Sequence, residues 1–169
     1  MNAKPMLLTL GLYLLTMTLA ASAPRSSWFE ARTTGTRTIT MRGAAEFGSG
    51  APEAAQAPFV ISLGAESSAG AVVFTRPGGG RLATGVYPIE PAGRGSLQAL
   101  VVTGSPTRPT GAFHARTGTL TITRSGDDLI EGRFDIDAVG FEVSDPADEG
   151  KELVVRGAFT ASPGAQPER

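Results

Sequence analysis

Few residues in this chain have the type and spacing to do chemistry. His114 is the one histidine, and so the one candidate base for serine-type catalysis, which needs an imidazole beside the hydroxyl. It stands between Phe113 and Ala115, so strand parity puts it on the face away from the apolar one, beside Arg116. No Gly-x-Ser-x-Gly elbow accompanies it. Asp135 and Asp137 point the same way from one strand, as a glycosidase pair would. Such a pair must flank a bond in a cleft with one member desolvated, whereas Glu131, Arg133, Asp135 and Asp137 alternate like a solvated face. Asp127-Asp128 and the acidic stretch from Asp145 to Glu149 carry oxygens suited to calcium, but neither follows an EF-hand register. Pro77-Gly78-Gly79-Gly80 lacks the Lys-Ser/Thr and the helix that a phosphate loop requires, and reads as turn punctuation. No cofactor and no metal is expected from these residues. The places left for function are two loops, Arg76 to Arg81 and Ser105 to Pro109, with Arg76, Gly79, Arg81 and Arg108 as the partner-binding candidates.

The elements that must carry these residues are strands. From Gly118 to Ala138, Leu120 and Ile122 oppose Thr119, Thr121 and Thr123. After the turn residues Ser125-Gly126-Asp127-Asp128, Ile130, Phe134 and Ile136 oppose Glu131, Arg133, Asp135 and Asp137. A period of two on both sides of a turn is a hairpin, with Gly126 able to take a positive φ. Further strands are expected from Thr36 to Phe47, Phe59 to Leu63, Ala71 to Arg76, Gly85 to Glu90, Ser96 to Thr103, Thr110 to Thr117, and Lys151 to Ala161. Pro88 makes the Gly85 strand edge-like, because proline cannot donate to a central ladder. Leu97 to Val102 is too apolar to have one wholly wet face, and Gly140 suggests a bulge in the strand that runs on to Val143. In the closing strands Leu153, Val155 and Phe159 join Ile130, Phe134 and Ile136 as the inward set.

Residues 1–23 read as a signal peptide: Lys4, an apolar run from Met6 to Leu19, then Ala20-Ala21-Ser22-Ala23. Residues 24–35 read as a polar lead-in, with Trp28 and Phe29 plugging one end of the core, and residues 162–169 as a disordered tail. Between them, residues 36–161 form one all-β domain of about seven to nine strands, since no stretch keeps apolar residues at helical spacing. An antiparallel sandwich is favoured over a closed or partly open barrel, which strand alternation alone does not separate. The chain has 169 residues, a net charge of -1 and no cysteine. That excludes disulfides and thiolate zinc sites, and the lack of a basic stripe argues against nucleic acid. Nothing after the signal peptide is expected to insert in a membrane.

Gly118-Thr-Leu-Thr-Ile-Thr, Gly132-Arg-Phe-Asp-Ile-Asp-Ala, and Leu153-Val-Val-Arg-Gly-Ala-Phe-Thr-Ala161 together resemble a group of exported bacterial all-β proteins without assigned function. Gly85-Val-Tyr-Pro-Ile and Thr38-Ile-Thr-Met-Arg-Gly43 fit the same pattern. Many of that group are lipid-anchored through a cysteine; this chain has none, which implies a soluble or differently tethered form. The resemblance implies a periplasmic or extracellular location and no catalytic residue. The expected function is a non-enzymatic binding or structural module of the cell envelope, meeting an envelope protein or glycan. A small apolar-ligand carrier is the alternative and a hydrolase a distant third.

Overall fold

A computed structural model describes residues 26–49, 57–64, 69–91, 97–105, 108–145 and 150–164. The expected signal peptide lies outside the described residues, as does most of the expected C-terminal tail. The strands are β1 (Trp28–Gly35), β2 (Thr40–Gly43), β3 (Ala45–Ser49), β4 (Phe59–Gly64), β5 (Gly70–Arg76), β6 (Gly85–Ile89), β7 (Gln98–Ser105), β8 (Arg108–Ser125), β9 (Ile130–Glu142) and β10 (Lys151–Pro163). The protein is all-β, one sheet of ten strands whose pairings are antiparallel except for a two-residue contact between the end of β10 and β3.

The centre is the β8–β9–β10 meander. Its hairpin falls where the alternation places it, with Leu120 opposite Phe134 and Ser125 opposite Ile130. The turn is tighter than the four residues suggest: the Gly126 amide donates to the Leu129 carbonyl at 2.8 Å, and Gly126 keeps a negative φ. β1 pairs with β10 along its length, Phe29 opposite Phe159. β2 and β3 follow each other with only Ala44 between, the first pairing with β1 and the second with β4. β6 and β7 both lie on the edge of β8 that β9 leaves free, opposite residues 118–122 and 108–114 respectively. Two pairs of strands therefore run end to end, and the pairing passes from β10 through β9, β8, β7, β5, β4 and β3 and returns to the end of β10. The two layers face each other in the manner of a sandwich, yet the ladder is continuous round both sides, and the edge-strand problem is largely abolished.

The interior follows parity. Phe74 on β5 meets Phe134 on β9 and Phe159 on β10 across the core, with ring centroids 5.2 and 6.5 Å apart. Ile130, Phe134, Ile136, Leu153, Val155 and Phe159 are all buried, as the alternation requires. Gly157 leaves room for one of these rings, because a Cβ there would stand 2.5 Å from Phe134 Cζ.

Several expectations are corrected. Residues 28–35 are not a lead-in but β1, with Phe29, Ala31 and Thr33 turned inward and Trp28 outward. The strand was hidden by Thr33, a polar inward residue made tolerable by two bonds: its hydroxyl donates to the Arg37 carbonyl and accepts from the Ile39 amide. The domain accordingly extends to both sides of 36–161, since β10 also takes in Ser162 and Pro163. The single first strand divides at Ala44, where the chain changes partner. Ser105 belongs to β7 and Arg108-Pro109 to β8, so little of that stiff loop remains among the described residues. Gly140 forms no bulge: the register is unbroken from Ala138 to Glu142 on β9. Glycine is needed there because a Cβ would overlap the Ala112 carbonyl oxygen. The irregularities fall in β8 instead, at Thr110, Arg116 and Thr123, and Arg116 stands between the residues paired with β7 and those paired with β6.

Candidate functional site

The four loop candidates do not converge. Arg76 is opposite Phe59 at the end of β5, and Gly79 sits in the following turn, where Gly78, Gly79 and Gly80 have φ of 80, 70 and 86°. Arg108 lies at the other end of the β5–β7 ladder, beyond Thr103, which pairs with Gly70. Arg81 has a structural partner set: its guanidinium is 2.5 Å from Asp127 and 5.6 Å from the centroid of the Phe47 ring. The next residue, Leu82, is fully buried, and its carbonyl accepts from the Ser125 hydroxyl at 2.6 Å. The loop from Pro77 to Thr84 is thus a stopper over one end of the core.

The charged residues are spread along one outer face and paired across strands. Asp135 holds Arg156 at 2.8 Å, Glu30 holds Arg42 at 2.8 Å, and Asp137 accepts from the Thr117 hydroxyl at 3.3 Å. The guanidinium beside Glu30 holds its carboxyl below the usual range, first by hydrogen bonding and then by charge. Asp135 and Asp137 are both exposed on that face. His114 is exposed, as its parity requires. Among the described residues no group of three or more His, Asp or Glu is gathered as a metal site would need. Of the two acidic loops, Asp127 is taken by Arg81 and Asp145 by Lys151 at 3.3 Å, and residues 146–149 lie outside the described residues.

Unbroken parity through Gly140 has two consequences that the expected bulge obscured. It turns Glu142 inward, where it meets Arg37 and, at 3.5 Å, Lys151. It also turns Phe141 outward. The outer surface of β5, β7, the first half of β8 and the end of β9 then carries two cross-strand rows. One is Ala71, Val102, Ala112 and Phe141; the other is Val73, Leu100, His114 and Val139. All but His114 are half-buried apolar residues pointing away from the core. The same surface on the opposite side, from β9 to β2, carries Arg133, Asp135, Asp137, Arg156, Arg32, Glu30 and Arg42, with Val154, Ala158 and Trp28 between them. At the point where β8 changes partner, the ladder opens into a shallow cleft of about 230 Å³. Val73, Thr75, Glu90, Gln98, Ala99, Leu100, His114 and Ala115 line it. Only the apolarity of Leu97 to Val102 pointed to this face from the sequence.

The chain matches no protein-family model, no curated protein and no solved structure. Among the described residues no helix is long and apolar enough to cross a membrane. The class defined by the fold is an all-β protein with one mainly charged outer face and one mainly apolar outer face.

Proposed function

We propose that this protein is an exported, non-enzymatic binding or structural module of the cell envelope that works by surface recognition. The observation that carries the reading is the unequal outer surface. Outward positions of a single sheet layer face water and favour polar residues, which predominate from β9 to β2 although Trp28, Val154 and Ala158 stand among them. From β5 to β9 they are instead contiguous Ala, Val, Leu and Phe, which marks an interaction site. The chemistry of that face favours a protein over a glycan, because it offers aliphatic surface and few groups to meet sugar hydroxyls. Export is supported by Lys4, the apolar run after it and the small residues up to Ala23, together with the resemblance to exported all-β proteins. The carrier reading asks for an apolar cavity of roughly 300 Å³ or more, and the space between the layers is occupied by Phe74, Phe134 and Phe159.

The test is retention of envelope components by immobilised protein. Leu100→Lys should fold normally and lose what the wild type retains, whereas Asp135→Ala should retain it. A measurable turnover abolished by His114→Ala or Asp135→Asn would overturn the reading. For export, mass spectrometry should find a mature N-terminus between Ala21 and Pro24.

A further inference from the structure

On the outer face from β9 to β2, Arg32 on β1 stands directly opposite Arg156 on β10. Like charges directly opposite on a sheet destabilise it. Asp135 on β9 answers only one of the two, accepting from Arg156 Nε at 2.8 Å. In the neighbouring row Ala158 lies between Glu30 and Arg133, and Glu30 is turned to Arg42 on β2. Each of these carboxylates stands two residues from a second arginine on its own strand, Glu30 from Arg32 and Asp135 from Arg133, yet neither engages it. Arg32 and Arg133 are exposed and have no hydrogen bond or ion pair among the described residues. At about 4.8 Å between strands and about 3.4 Å per residue, the backbone positions of Arg32, Arg133 and Arg156 lie within about 12 Å of one another. The small Ala158 side chain sits among them. Four arginines against two carboxylates leave these two rows at +2, on a chain of net charge -1.

We infer that this face docks an acidic polysaccharide, lying over Ala158 with its anionic groups on Arg32 and Arg133. The planar fork of a guanidinium matches a carboxylate or sulfate with two parallel hydrogen bonds, and an anion between Arg32 and Arg156 turns their repulsion into a shared attraction. The interspersed carboxylates select the occupant. A membrane surface or a nucleic acid is a continuous negative layer, against which Glu30, Asp135 and, a row further on, Asp137 would stand. A sugar acid alternates anionic groups with hydroxyls, so the arginines meet the first while the carboxylates accept from the second. This is a different face from the apolar one, and the inference rests on no contact made there.

The probes are immobilised polygalacturonate and dextran sulfate, with uncharged dextran as control, at low ionic strength. The protein as recovered from expressing cells should be retained by the acidic polymers, pass through dextran, and be released by salt. Arg32→Thr and Arg133→Thr should each weaken retention by about two- to fivefold, the range of exposed charge pairs. Arg32→Thr should do so without lowering the melting temperature, because threonine suits a strand and the like-charge pair is gone. A lower melting temperature with unchanged retention gives Arg32 a structural role and overturns the inference. A second comparison does not depend on the arginine variants. Asp135→Ala frees Arg156 and should tighten retention, whereas Glu46→Ala makes the same change of net charge on β3 and should not. Equal tightening by both means that the polymer reads net charge alone, which overturns the inference. Retention on neither acidic polymer overturns it, as does stronger binding to vesicles of phosphatidylcholine and phosphatidylglycerol in equal parts.

Discussion

Glu142 is a carboxylate on the inward parity of β9, held between Arg37 and Lys151, and removing its charge leaves two cations facing each other at one end of the core. Hydrogen bonds to charged groups contribute about 1.5–3 kcal/mol. Glu142→Gln should therefore lower unfolding stability by about that amount in urea. Asp135→Ala should change it by at most about half a kcal/mol, because Asp135 and Arg156 are each more than half exposed. The Lys151 ammonium is held above the ordinary lysine range, chiefly by its hydrogen bond to Asp145, with partial burial opposing and Glu142 adding. A raised folded-state pKa stabilises fully below the unfolded value and is lost as pH rises through the folded one. Thermal melts should accordingly fall in the alkaline range above the ordinary lysine pKa, and Lys151→Met should remove part of that slope. In the interior, Phe134→Ala or Phe159→Ala should cost about 3–5 kcal/mol, since each leaves a ring-sized void between facing layers.

At the scale of elements, the loop from Pro77 to Thr84 has changed role. From the sequence, Arg76 to Arg81 was expected to bind a partner, but Leu82 beside it is fully buried in the core. Leu82→Ala should cost about 2–5 kcal/mol, and Arg81→Ala no more than about 1 kcal/mol, because its ion pair is at the surface. Equal, negligible losses in calorimetry would return the loop to the status of a connector. The stretches that alternate cleanly, β4, β5 and the hairpin arms from Gly118 to Ile122 and from Ile130 to Ala138, were legible because their buried residues are all apolar or glycine. β1 was not, since Thr33 interrupts its inward face and its two hydrogen bonds come from residues beyond the strand. The apolar outer face was half legible. Leu97 to Val102 announced a strand with two apolar sides, but the partners of Leu100 and Val102 come from β5, β8 and β9 and are set by register, which alternation does not contain. The glycine at position 140 pointed the wrong way because a bulge and a close backbone approach leave the same mark in a sequence.

At the scale of the molecule, function is expected from which side of the closed sheet is apolar, and the exposed single residues Trp28, Val86 and Val143 add nothing to it, since isolated apolar side chains are ordinary on surfaces. Edge pairing is discouraged on β6 by Pro88. The return of the pairing from β10 to β1 also governs the order of events when the chain folds. Trp28 pairs with Thr160 and Gly35 with Leu153, so the first strand made is joined to the last. Long loop closure must precede that reward, which places the molecule among slow folders dominated by distant contacts. A ribosome releasing this chain from its N-terminus holds back the strand that completes the sheet until the end. Until β10 emerges, β1 and β9 each lack a neighbour and the layers cannot be locked together. The pairing that completes the finished sheet thus leaves the growing one open until the last strand arrives.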